Sequence, residues 1–178
     1  MGSKDARGRR GVKVYVIDGY NVVRSVERYN EVAARDIDAA RARVVGDVAS
    51  YVHGEADAVI VFDGAANPNS DGSLHDVAGV SVVFSPYGLE ADSVIEQIVA
   101  QRAAQGHEVI LVTSDAQTQW VALGHGALRV SSAEFGSRIG DMIVESGEHN
   151  PTGSSRHAVD ERIDPAIRDT LARWARGQ

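Results

Sequence analysis

Cysteine is absent from this chain, which excludes disulfides and any thiolate metal site. Long apolar runs are absent too: no stretch approaches the roughly 20 residues of a membrane span. No signal peptide precedes the first apolar run, so a cytoplasmic location without a membrane partner is expected. A glycine-rich Gly-x-Gly-x-x-Gly turn is missing after that run, which leaves Rossmann-type nucleotide binding with little support. Basic charge is scarce in the body. Residues 1–13 carry Lys4, Arg7, Arg9, Arg10 and Lys13 against Asp5 for +4, and residues 148–178 balance, so residues 14–147 carry −11 within the net −7. A body without a broad basic surface lacks the usual source of non-specific nucleic-acid affinity. Tight unaided RNA binding is therefore not expected; a substrate presented by another assembly, or held by a local basic patch, fits better.

What is present is the composition of one globular domain of 178 residues. Five apolar runs read as buried strands: Val14–Ile17, Ala58–Phe62, Val80–Phe84, Glu108–Val112 and Ala127–Val130. Asp18, Gly19, Tyr20 and Asn21 read as a turn in which Gly19 permits close backbone approach. Apolar residues at three- and four-residue spacing predict helices from about Ala33 to Val52 and from about Glu90 to Ala104. A short helix is expected over Asp115–Leu123, and Ser131 with Glu134 forms a capping box opening a helix to about Glu145. Asp63–Gly79 reads as a long loop.

Alternating strands and helices give an α/β fold, a three-layer α/β/α sandwich around a mainly parallel sheet of about five strands. The expected divisions are a basic tail over 1–12, a domain over 13–146, a Gly- and Ser-rich linker over 147–158 and a C-terminal helix over 159–178. That helix carries Ile163, Ile167, Leu171 and Trp174 on one stripe, suited either to docking on the body or to a partner.

Four aspartates recur at one kind of position. Asp18 and Asp63 directly follow the first and second strands, Asp115 follows the fourth, and Asp92 sits in the first turn of a helix. In an open, mainly parallel sheet the functional crevice lies outside the strand carboxyl ends, so these side chains converge. Two unpaired carboxylates about 4 Å apart repel by roughly 4 kcal/mol at an effective dielectric near 20. A cation relieves that repulsion. Oxygen-only ligands with no histidine pair point to Mg²⁺ or Mn²⁺ rather than zinc, ions suited to phosphodiester hydrolysis.

Each residue also has a plainer reading. Asp18 could cap a turn and Asn21 a helix, Asp63-Gly64 is a common turn pair, Asp92 suits a helix dipole, and Asp115 is an ordinary N-cap. Glu96, four residues after Asp92, adds a like charge on the same face, whereas Glu90 reads as a helix-start charge on another face. Thr113 and Ser114 offer hydroxyls for water or a phosphate oxygen, and Arg24 follows the first turn closely enough to meet phosphate. Arg129 and Arg138 rank lower. Tyr20 and Tyr87 flank the expected crevice and could stack on a base, although packing at the sheet edge serves as well. His75 and His125 lie in loops.

The ordered set Val-Ile-Asp18-Gly-Tyr-Asn21, Val-Phe-Asp63-Gly, Ser85-Pro-Tyr-Gly-Leu-Glu90-Ala-Asp92-Ser-Val-Ile-Glu96, Val112-Thr-Ser-Asp115-Ala-Gln-Thr-Gln and Gly126-Ala-Leu-Arg-Val-Ser-Ser-Ala-Glu134-Phe resembles the YacP-like branch of the NYN domain family of PIN-like nucleases. It covers about residues 13–145; the C-terminal helix lies outside the match. The resemblance implies a PIN-like fold and a divalent-metal endoribonuclease, with messenger RNA decay on the ribosome as its setting. Asp18, Asp63, Asp92 and Asp115 would be the acidic catalytic and metal-binding cluster. Asn21 would orient the first aspartate or contact substrate; Arg24, Thr113, Ser114 and Tyr20 are substrate-side candidates on the reading of the residues alone. The alternative is a PIN-like module that binds RNA or the ribosome without cutting. A phosphatase using Asp18 as nucleophile is weakened because Tyr20 stands where its second acid belongs.

Overall fold

In a computed structural model of the protein, the described residues are 11–116, 118, 120, 124–148 and 164–177. Six strands form one sheet: β1 (Lys13–Asp18), β2 (Asp57–Phe62), β3 (Leu74–Val77), β4 (Val80–Phe84), β5 (Glu108–Val112) and β6 (Leu128–Val130). Their order is β3-β4-β2-β1-β5-β6. Every pairing is parallel except β3 with β4.

The helices are α1 (Gly19–Ser25), α2 (Glu27–Ala33), α3 (Ile37–Val52), α4 (Ala91–Ala104), α5 (Ser132–Glu148) and α6 (Pro165–Ala175). Alternate strand residues face opposite sides, and the core divides accordingly. Tyr15, Ile17, Ile60, Phe62, Val82 and Val112 join the core that holds Val44, Val48, Phe135, Ile139 and Leu171 of α3, α5 and α6. Val14, Val16, Val59, Val61 and Leu111 pack with Val94, Ile95 and Val99 of α4. This is the expected three-layer α/β/α sandwich, with α4 covering the second face.

Three details differ from expectation. The sheet has six strands, not five, because Leu74–Val77 turns back on β4 through Ala78 and Gly79 at φ +54° and +83°. A two-residue loop with both φ values positive joins antiparallel strands with the right twist, but alanine conceals it. The segment after β1 is helical rather than a turn, and α3 begins at Ile37. Asp36 ends the preceding chain as N-cap, its Oδ1 accepting from Asp38 N at 2.9 Å and Ala39 N at 3.1 Å. Finally, α5 runs to Glu148, so only the beginning of the expected linker is described.

The C-terminal helix docks on the body. Leu171 is fully buried, Arg168 pairs with Asp36 at 2.6 Å and Arg176 with Asp38 at 3.3 Å. Asn67 Nδ2 donates to Ala175 O at 2.8 Å. The ion pairs are partly solvated and contribute little; apolar burial of Leu171 and Ala172, with Ile167, Trp174 and Ala175 packed beside them, supplies the docking energy. Among the described residues no helix is long and apolar enough to cross a membrane.

Candidate active site

The sheet reverses direction at β1. Chain progress runs from β1 to β2 and outward to β4, and β5 then returns to the other side of β1. Such a switch point leaves a crevice at the strand carboxyl ends. A cleft of about 150 Å³ opens there, lined by Asp18, Tyr20, Asn21, Arg24, Asp63, Glu90, Asp92 and Asp115. All four predicted aspartates reach one place.

Asp18 ends β1 and is buried, 8% exposed. Its Oδ1 accepts from Asn21 N at 3.0 Å as the N-cap of α1, so the capping reading holds, and the same residue lines the cleft. Gly19 is required beside it: a Cβ there would lie 2.4 Å from Phe62 Cε1. Burial raises the Asp18 pKa above the ordinary carboxylate range. The Asn21 N–H and Arg24 work against that rise, and the charge of Asp92 adds to it.

Asp63 is exposed, and its Oδ1 accepts from Ala65 N at 2.8 Å in a turn. Asp92, in the first turn of α4, and Asp115 are joined through Thr118, whose Oγ1 lies 2.9 Å from Asp92 Oδ1 and 3.4 Å from Asp115 Oδ1. Thr118 gave no signal in sequence, because one hydroxyl in a short helix has no pattern. Glu90 is a correction: it lines the cleft rather than another face. It occupies the α4 N-cap position without making a capping bond, so it is a helix-start charge, as expected, that also lines the cleft.

Asn21 is a structural tie. Its Oδ1 accepts from Ser114 N at 2.9 Å and Ser132 Oγ at 2.6 Å, while Ser114 Oγ accepts from Ser132 N at 3.1 Å. The amide thereby joins α1, the chain leaving β5 and the start of α5. Thr113 is a second correction. It is fully buried, its Oγ1 accepting from Asp115 N at 3.1 Å and lying 3.5 Å from Asp18 Oδ2. It hydrogen-bonds the aspartate segment from beneath and is not part of the cleft lining. Ser114 is exposed beside the cleft but is not part of its lining.

Tyr20 forms one wall. Its hydroxyl accepts from Arg41 Nε at 2.9 Å and also from Arg41 Nη2, and its ring meets Phe62 edge-on at 5.2 Å. Arg41 is in turn paired with Asp38. A ring clamped in this way makes a rigid wall rather than a free stacking surface. Arg24 is the one basic side chain in the lining. Tyr87, Glu96, Arg129, Arg138 and His125 are not part of that lining, and Arg138 pairs with Glu134 at 2.7 Å.

The model of the YacP-like NYN domain matches residues 15–176. The chain belongs to that family. Because the match runs to residue 176, the C-terminal helix is part of the YacP-like NYN domain, which corrects the earlier limit near residue 145. The uncharacterized protein YacP of Bacillus subtilis (strain 168) is 25% identical over 166 residues, covering 92% of this chain and 97% of that protein. Two crystal structures of Rae1 (YacP) from Bacillus subtilis share the fold. A mutant form has a TM-score of 0.66 at 22% identity over 90% of this chain and 98% of its own, and the other has 0.61 at 23% over 92% and 95%. The architecture is thus the PIN-like one, and NYN domains form a nuclease family.

The donor chemistry of the cleft suits a hard divalent ion. Five carboxylates face one arginine, and one of those carboxyls is buried with its charged form disfavoured. Among the described residues, no three Asp, Glu or His groups stand at spacing for direct ligation of a single ion. Mg²⁺ fits such a site, since it keeps several waters and takes one or two carboxylates together with substrate phosphate oxygens. If such an ion binds, Asp18, Asp92 and Asp115 would be the residues to hold it, with Asp63 and Glu90 also on the lining.

Proposed function

We propose that this YacP-like NYN domain protein is a divalent-metal-dependent endoribonuclease that cleaves RNA, with messenger RNA as its substrate in the cytoplasm. The observation that carries the reading is the convergence of Asp18, Asp63, Glu90, Asp92 and Asp115 in one cleft at the sheet's switch point. A protein that only bound RNA would gain nothing from five carboxylates repelling phosphate. A Mg²⁺ or Mn²⁺ ion held by these carboxylates would supply charge neutralisation and a water of lowered pKa for phosphodiester hydrolysis.

The chain's own groups have separable parts. Asp18, anchored by the Asn21 N–H, holds the deepest negative charge. Asp92 and Asp115, joined by Thr118, form the opposite wall, and Arg24 is placed to meet a phosphate oxygen. Asp63 and Glu90 lie on the cleft lining as acceptors for protons or hydrated cations. Hydrolysis by water leaves a 5′-phosphate and a 3′-hydroxyl and does not need the ribose 2′-hydroxyl. The acidic body explains why RNA would be delivered by a larger assembly, for which the ribosome is the leading choice.

The test is cleavage of a labelled messenger RNA with and without ribosomes, in Mn²⁺ or EDTA, by wild type and Asp18→Asn. Asparagine keeps the N-cap, so the variant folds. Metal-dependent cutting that disappears in the variant is expected. Equal cutting by the variant, no cutting under any condition, or product ends with a 2′,3′-cyclic phosphate would overturn the reading. Absence of cutting with retained binding would favour the non-catalytic module.

A further inference from the structure

A second cavity lies at the same edge of the sheet, two strands out from the acidic cleft. Its volume is about 250 Å³, and its lining includes Asn69, Asp71, Ser73, His75, Phe84 and Trp174. The loop from Asp63 to Ser73 connects the two sites: its first residue lines the cleft and its last residues line the cavity. That loop is held firmly. Gly64 N donates to Ser85 Oγ at 2.8 Å, Ser70 Oγ to Ser85 O at 2.8 Å, and Tyr87 N to Ser70 O at 2.9 Å. A Cβ at Gly64 would stand 2.4 Å from Ser85 O. The distance from cleft to cavity is therefore set by the fold.

The cavity combines aromatic surface with acceptors. His75 of β3 stacks on Trp174 of α6 with ring centroids 3.9 Å apart and planes at 14°. Both residues are only half-buried, and both line the cavity. Asp71 Oδ1 accepts from Ser73 N at 2.8 Å, and a carboxylate retains lone pairs for further donors. Hydrogen bonding from Ser73 holds the Asp71 carboxyl below its usual range, so it is ionised at neutral pH. An anionic rim repels phosphate and disfavours base edges that present acceptors. It suits an edge with adjacent N–H donors, and guanine has two, at N1 and N2. The volume falls below the roughly 300–1,000 Å³ of pockets that enclose drug-sized ligands, which fits one base. Single-stranded RNA is read in this way, with unstacked bases on aromatic rings and hydrogen bonds to their Watson–Crick edges.

We infer that this cavity is a base-recognition subsite taking one unstacked nucleobase, guanine by preference, from the RNA strand whose phosphodiester lies at the acidic cleft. The substrate part of this inference rests on the nuclease reading above. It gives α6 a role in recognition, because Trp174 supplies part of the subsite.

The chain has two tryptophans, and Trp120 is 75% exposed, so Trp120→Phe leaves Trp174 as the single reporter. The full chain in EDTA is titrated with GMP, AMP, CMP and UMP while Trp174 fluorescence is read. Saturable quenching by GMP is expected at the lowest concentration. Asp71→Asn, an exposed and structurally mild change, is expected to weaken GMP about tenfold through loss of charge-assisted hydrogen bonds and to abolish the preference. In parallel, the cleavage sites on a labelled RNA are mapped for wild type and Asp71→Asn. No quenching by any mononucleotide, an unchanged GMP-to-AMP ratio in the variant, or identical cleavage positions in an active variant would overturn the subsite while leaving the nuclease standing. GMP-selective quenching in a protein that never cuts RNA would support base recognition and defeat the nuclease reading.

Discussion

Asn21→Ala is the substitution whose cost the structure specifies most closely. Asn21 Oδ1 takes two donors, Ser132 Oγ at 2.6 Å and Ser114 N at 2.9 Å. Ser132 is fully buried, so stranding its hydroxyl costs about 1–3 kcal/mol, whereas exposed Ser114 regains water and loses only about 0.5–1.5 kcal/mol. Alanine's better helix propensity offsets about 0.5 kcal/mol within α1. The net loss is about 1–4 kcal/mol, roughly 2–16 °C in Tm for a chain of this size. A double-mutant cycle with Ser132→Ala isolates the contact, read by urea unfolding. Ser132→Ala alone should cost about 1 kcal/mol, since Asn21 still accepts from Ser114. The double variant should be about 1 kcal/mol more stable than additivity requires, because its orphaned hydroxyl is gone. An Asn21→Ala cost under about 0.5 kcal/mol, or strict additivity, would refute the argument that Asn21 is the tie between α1, β5 and α5.

Two further outcomes follow from burial. Asp18 has a raised pKa in the folded protein, chiefly from burial. Below the unfolded carboxyl value of about 3.9 it is protonated in both states, and as pH rises through the higher folded value the native state must ionise a buried group and loses stability. In EDTA, Asp18→Asn should therefore be more stable than wild type at pH 7, with the gap closing in acid; a variant less stable at pH 7 would contradict this. Added Mg²⁺ should raise the wild-type Tm and leave the variant's nearly unchanged. Leu171→Ala should cost about 2–5 kcal/mol and shift the whole urea transition, because that side chain sits in the core shared with α3 and the sheet. A body transition unaffected by Leu171→Ala would show α6 to be separable.

The strands were legible because each is a continuous apolar run in a sheet covered on both faces. The aspartates were legible because an acid directly after such a run stands out. Lost to sequence reading were features whose signal is weak or distant. β3 is short, half-exposed and joined by an Ala-Gly turn without the usual Asn or Asp. Helices α1 and α2 follow β1 so closely that Asp18-Gly19 looked like a turn. Glu90 was read by helical periodicity, but it stands at the cap position, where the chain is extended at φ −70°, ψ 153° and helical spacing does not apply.

By itself, then, the sequence determined the α/β class, the order of most elements and the four aspartates, since each depends on residues adjacent in the chain. Tertiary structure alone decided that Glu90 joins those acids, that Thr118 and Ser132 hold the site together, and that α6 brings Trp174 onto His75. Those contacts join residues 26, 111 and 99 positions apart. No local pattern encodes a pairing of that range; it arises only when sheet order and helix docking bring the partners within a few ångströms.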